Sequence, residues 1–204
     1  MTTSEITSVE RLRELLGGPP LPRVADKARD RLHPMHRRWL AASPFCLVAT
    51  SGADGTCDVS PKGDPPGFAR VLDDRTLALP ERPGNRRADG FHNVLANPQV
   101  GLIFMVPGRG DTLRINGTAR LIADAPYFDE LAVAGKRPLL AMEIVIQEVF
   151  FHCAKAFLRS SLWTAPAPSD LPSRAQIAKT LERPDDSLAS LEEYYGPAYA
   201  TKLY

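Results

Sequence analysis

Apolar and polar positions change rhythm three times along this chain. Val9, Leu12, Leu15 and Leu16 recur at helical spacing, with Ser8 placed to cap them and Gly17-Gly18 to stop them. A second helical pattern runs from Lys27 to Ala42. Asp26 opens it, Pro34 breaks or restarts it, and Leu32, Met35, Trp39 and Leu40 form its apolar side. From Pro44 the period shortens to two. Strands are predicted over Phe45–Thr50, Thr56–Ser60, Phe68–Leu72, Thr76–Leu79, Gln99–Val106, Thr112–Ala123 and Ala141–Cys153. The clearest alternation sets Leu113, Ile115, Gly117, Ala119 and Leu121 against Thr112, Arg114, Asn116 and Arg120. Ala53-Asp54-Gly55 signals a hairpin turn, and the Arg-Gly-Asp at residues 109–111 reads as another hairpin tip. The run Pro61 to Gly67 is predicted to end the second strand.

One helix is predicted between the fourth and fifth strands, from an Asn85 cap to Ala96, stopped by Asn97-Pro98. A short helix is predicted near Pro126 to Ala134. Past Ala165-Pro166-Ala167-Pro168 the rhythm is helical again, over Ser173–Leu181 and Ser187–Tyr195, with Ile177 and Leu181 as apolar points of the first. Tyr194, Tyr195, Tyr199 and Tyr204 make this tail too aromatic for a disordered segment, and it is expected to pack on the core or a partner subunit. Seven strands joined mostly by hairpins, with helices outside them, describe an α+β chain whose antiparallel sheet closes toward a β-barrel. The chain divides into an N-terminal extension (1–25), a barrel domain (26–165) and a helical tail (166–204). A Rossmann fold is excluded, because the strands do not alternate with helices and no G-x-G-x-x-G follows a strand.

Composition narrows the function. Among 204 residues, 25 are basic and 24 acidic, a formal net charge of +1 that does not support a general nucleic-acid or membrane-surface binder. No apolar run reaches bilayer-spanning length, and the first residues have no signal-peptide core. Cys46, Cys57 and Cys153 are scattered, so they read as free thiols of a reducing cytosol. Neither G-x-S-x-G nor H-E-x-x-H occurs.

The stretch from Leu77 to Pro98 carries the strongest chemistry. An apolar strand runs into a Pro/Gly turn, then a helix start bearing Arg86 and Arg87. Cations there oppose the helix dipole unless an anion joins them, so strand, turn, helix start and two guanidinium forks suit a phosphate. Lys62, Arg82, Arg114, Lys155 and Arg159 also sit at turns or strand ends, which favours one multiply anionic ligand.

Four segments carry a family resemblance: Asp58 to Phe68 (DVSPKGDPPGF), Pro80 to Arg87 (PERPGNRR), Asn97 to Leu102 (NPQVGL) and Thr112 to Gly117 (TLRING). With His152 to Trp163 (HCAKAFLRSSLW), the chain resembles the pyridoxamine 5′-phosphate oxidase-like flavoproteins, more narrowly an uncharacterised bacterial FMN-dependent branch. The resemblance covers roughly residues 30 to 165. It implies an FMN-binding split barrel, an oxidoreductase that works as a homodimer with flavin at the subunit interface. It assigns the phosphate to Asn85, Arg86 and Arg87, and the flavin-lining strand end to Pro80 and Glu81, acting through backbone or shape. Thr112 stands where the family has a glutamine that reaches the cofactor across the dimer. The bend Ser60-Pro61-Lys62-Gly63 would lie beside the ring, with Lys62 stabilising negative charge on its reduced form. Arg114 belongs to the basic set, and Lys155, Arg159 and Trp163 would add contacts, Trp163 as a flat wall. The oxidase's C-terminal Arg-x-His motif has no counterpart in Tyr199 to Tyr204, which argues against vitamin B6 oxidation. The alternatives are a split barrel that holds flavin or haem without turnover, or one that uses a deazaflavin. For haem the ligand would be His152, at a strand end on the core rim, or His92, expected to pack beside Phe91.

Overall fold

The structure, a computed structural model, describes residues 3–204. Seven antiparallel strands form one sheet in the order β2-β1-β5-β6-β7-β4-β3. They are β1 (Phe45–Ser51), β2 (Cys57–Gly63), β3 (Arg70–Val71), β4 (Thr76–Glu81), β5 (Gln99–Met105), β6 (Thr112–Ile122) and β7 (Leu140–His152). Helix α1 spans Val9–Leu15, α2 Pro22–Ala25 and α3 Pro34–Ala42. Helix α4 (Asp89–Ala96) lies between β4 and β5, and α5 spans Lys155–Ser160. The tail adds α6 (Arg174–Leu181) and α7 (Leu188–Tyr194). No helix among the described residues is long and apolar enough to cross a membrane.

The alternation expected in β6 is met: Leu113, Ile115 and Ala119 enter one core with Leu40, Val48, Leu77, Leu102, Phe104, Ile144 and Val149. The sheet curls until its two ends meet without pairing as strands. Side chains close the gap: Lys62 of β2 pairs with Glu81 of β4, and Asp64, just past β2, pairs with Arg82 at 2.7 Å. This is a split barrel with an ionic seam.

Several boundaries differ from expectation. Strand β2 does not stop at Ser60 but runs through Pro61 to Gly63. It is an edge strand, so the N–H that proline lacks is not needed by a second neighbour. The third strand shrinks to Arg70–Val71, and the helix near Pro126 is a single 3-10 turn. Asp26 caps no second helix. It ends α2, and the following chain is extended enough for Arg29 to bridge Val149, so α3 starts only at Pro34. His33 caps it, accepting from the Met35 amide, while His36 Nδ1 accepts from the His33 amide. In α6 the buried face is Ala175 and Ala178, and Leu181 is exposed. Tyr194, Tyr195 and Tyr199 pack on one another, and Tyr204 reaches the barrel.

Candidate functional site

The seam opens into a cleft of about 430 Å³, within the usual range for small-molecule sites. Val48 and Thr50 of β1, Val59 to Lys62 of β2, Glu81 of β4 and Met142 of β7 form its walls, and the segment Gly84 to Phe91 closes one end. Asn93 on α4 clamps that end to the β1–β2 hairpin, donating to Thr50 Oγ1 at 3.0 Å and to Asp58 Oδ2 at 2.8 Å. Gly90 allows the close approach, since a Cβ there would meet Thr50 Oγ1 at 3.3 Å.

The turn before α4 differs from the expected cap. Asn85 is not the N-cap; its Oδ1 accepts from the Arg87 amide at 3.1 Å, closing a side-chain turn. Arg86 (φ 62°) and Ala88 (φ 59°) are left-handed, so the helix cannot begin before Asp89, and Arg86 and Arg87 do not lie in its first turn. Among the described residues, the amides of Ala88, Asp89 and Gly90 donate to no acceptor. Three free amides at a helix start, beside a guanidinium, have the chemistry that suits an anion. Arg87 lines the cleft and donates from Nε to Asp89 Oδ2 at 2.8 Å, a pair on a side chain that is 74% exposed. Arg86 is exposed and outside the lining.

Lys62 also lines the cleft, where it lies 4.8 Å from the centre of the Phe91 ring and is bound to Glu81. The Glu81 carboxylate, and not only its backbone, is thus among the groups at the cleft. Both side chains are mostly buried, 20% and 23% exposed. Lys62 and Glu81 also wall a second cavity of about 210 Å³, together with Gly63, Pro80 and Arg82. Asp64 and the Leu131 carbonyl, at 2.6 Å, hold Arg82 in the seam, while its Nη1 is buried without a partner among the described residues.

Of the residues singled out by sequence, the cleft thus gathers Ser60, Lys62, Glu81, Asn85 and Arg87. Gly63 and Pro80 flank the second cavity. Thr112, Arg114, Lys155, Arg159 and Trp163 line neither cavity. Thr112 is buried opposite His152 at the start of β6. Arg114 lies 4.9 Å from the centre of the Phe150 ring and 3.8 Å from Glu148. Lys155 and Arg159 are exposed on α5, and Trp163 donates to the Arg109 carbonyl at 2.7 Å while stacking on Phe157. His92 is exposed rather than packed. His152 is half-buried beside Phe150, and burial, then the cations Lys27 and Arg114, lower its pKa. Sequence reasoning missed Asp89, Phe91 and Met142. Asp89 alone left a signal, as an acid at a helix start.

A search of curated proteins finds no match. Among solved structures, Group A Streptococcus HupZ is 19% identical, with a TM-score of 0.48, over 59% of this chain and 93% of that one. General Stress Protein 26 of Bacillus anthracis is 13% identical, with a TM-score of 0.43, over 56% and 88%. HutZ of Vibrio cholerae, described as a haem storage protein, is 14% identical, with a TM-score of 0.41, over 60% and 94%. The family model described as pyridoxamine 5′-phosphate oxidase matches residues 32–153. That span takes in all seven strands, both seam pairs and the cleft, and by it the chain belongs to the pyridoxamine 5′-phosphate oxidase family.

Proposed function

We propose that this protein binds FMN in the seam cleft and acts as an oxidoreductase on a substrate other than pyridoxamine phosphate. The observation that carries the reading is the end of the cleft at Asn85 to Gly90, where free amides and Arg87 face one volume. A phosphate monoester there would accept from the amides of Ala88, Asp89 and Gly90 and compete with Asp89 for Arg87. That exchange costs little, because an exposed ion pair is weak. The walls above, Val48, Val59, Phe91 and Met142, offer apolar surface for a flat ring. Bound flavin would supply the redox chemistry, and the chain's part is to anchor the phosphate and exclude water. Asn85 shapes the turn by fixing the Arg87 amide, and Ser60 puts a hydroxyl on the wall.

The same reading includes a homodimer. Lys155, Arg159 and Trp163 do not line this cleft in their own chain, so a role at the flavin requires them to enter the cleft of a second copy, whereas Thr112, 5% exposed, offers no surface for it. Light scattering on the eluting protein is expected to give twice the chain mass.

The deciding experiment is the absorbance spectrum of the purified protein, with mass spectrometry of the heat-released chromophore. Two visible flavin bands and released FMN are expected. A Soret band would mean haem, and a single band nearer the violet a deazaflavin. A protein that stays colourless with added FMN would overturn the reading. Charge-assisted hydrogen bonds are worth about 1.5–3 kcal/mol, so Arg87→Ala is expected to weaken FMN binding about 10- to 100-fold, and Arg86→Ala far less. Fluorescence titration of FMN measures both.

A further inference from the structure

The two cations that line the cleft, Arg87 and Lys62, differ in how they are paired. At the turn before α4, Arg87 is paired only through an exposed contact to Asp89, and three amides stand free. Lys62 is paired with Glu81, and that pair is mostly buried. Burial decides how the two behave. An exposed pair exchanges its anion at little cost, whereas parting a buried pair strands a poorly solvated charge. The Phe91 ring, 4.8 Å from the ammonium, and the apolar wall further limit the water that would replace Glu81. Lys62 therefore offers hydrogen-bond donors without net positive charge. Glu81 Oε2 holds Lys62, while Oε1 makes no hydrogen bond among the described residues. The Lys62–Glu81 pair so presents a donor and an acceptor side by side.

We propose that Glu81 sets the substrate class of the cleft. By holding Lys62 in an internal pair, it makes the wall at Lys62 electrically neutral and suited to an uncharged molecule that both donates and accepts hydrogen bonds, such as an amide or a hydroxylated carbonyl compound. A second phosphate or carboxylate is disfavoured there, since it would face Glu81 while Lys62 is already paired. This inference rests on the proposed function, in which the turn end holds the cofactor phosphate.

The test is a titration with inorganic phosphate, read from the amide NMR shift of Gly63, on wild type, Glu81→Gln, Lys62→Met and the double variant. Each is measured with and without FMN. Glu81→Gln keeps the shape of the side chain and removes its charge. It is expected to tighten phosphate binding at Lys62 about tenfold, the scale of one charge-assisted hydrogen bond, and the double variant to lose that gain. Lys62→Met leaves Glu81 uncompensated and is expected to bind phosphate no better than wild type. No gain in Glu81→Gln, including no binding in either protein, overturns the proposal, and so does a gain that survives in the double variant. If the protein takes up no FMN, the cofactor reading fails, while the FMN-free titration still decides whether Glu81 masks Lys62.

Discussion

At the scale of single residues, partners determine what each group can do. The three cysteines illustrate this. Cys46 is fully buried in β1, and burial pushes its thiol up to about 12. Cys153 is exposed, and a hydrogen bond from the Lys155 amide, with the Lys155 charge, lowers its pKa. Cys57 is exposed on β2. Reactivity follows the thiolate, so a disulfide reagent near pH 8 is expected to modify Cys153 first, then Cys57, and to reach Cys46 only after unfolding. Absorbance of the released thiol, with peptide mapping, gives the order. Prompt reaction of all three would show the core around β1 to be open. The same logic limits what sequence could reveal about the site. Arg87 was legible, because a cation beside a Pro/Gly turn and a helix start has few structural uses. That Lys62 is masked was not, because Glu81 lies 19 residues away on a strand that forms no ladder with β2. Their pairing depends on how far the sheet curls, which no local pattern encodes.

At the scale of elements, strands were more legible than helix ends. All seven strands appear in their expected order, since alternation survives an error of one or two residues at each boundary. The start of α4 was misplaced because Arg86 and Ala88 adopt left-handed geometry that their side chains do not advertise. The buried face of α6 was missed because it is built from alanines rather than large residues. The longest pairing, β6 with β7, contains a register shift between Asn116 and Gly117 that bends it around the core. Gly117 is required there: a Cβ would come within 2.1 Å of the Val145 carbonyl oxygen, a backbone atom that cannot step aside. Gly117→Ala is expected to cost about 3 kcal/mol, at the upper end of overpacking penalties. A urea titration of the variant measures the loss, and an unchanged midpoint would mean the two strands can slide apart freely.

At the scale of the whole molecule, the tail behaves as an attached unit. Helices α6 and α7 enclose their own small core of Ala175, Ala178, Leu191 and Tyr195. Among the described residues, the hydrogen bonds and ion pairs joining residues 166–204 to the barrel all involve Tyr204. Its hydroxyl donates to Asp64 Oδ1 at 2.6 Å, its carbonyl accepts from Lys136 at 2.7 Å, and its ring lies 5.6 Å from the Arg82 guanidinium. The tail is thus fastened to the seam. Tyr204→Ala is expected to speed cleavage by proteinase K in the exposed stretch 164–172 while leaving the melting of the barrel unchanged. Equal cleavage of variant and wild type would place the attachment elsewhere.

Leaving a sheet unclosed by backbone has one more consequence, for the behaviour of many copies together. An open sheet has two free edges, and a free edge is a template for strand addition and aggregation. Here one edge is β3, two residues long, and too short to recruit a strand. The other is β2, where Pro61 interrupts the row of donors and Lys62 turns its charge toward the seam. The proline that looked like the end of a strand therefore also protects the protein from fibril formation at the edge its cleft leaves open.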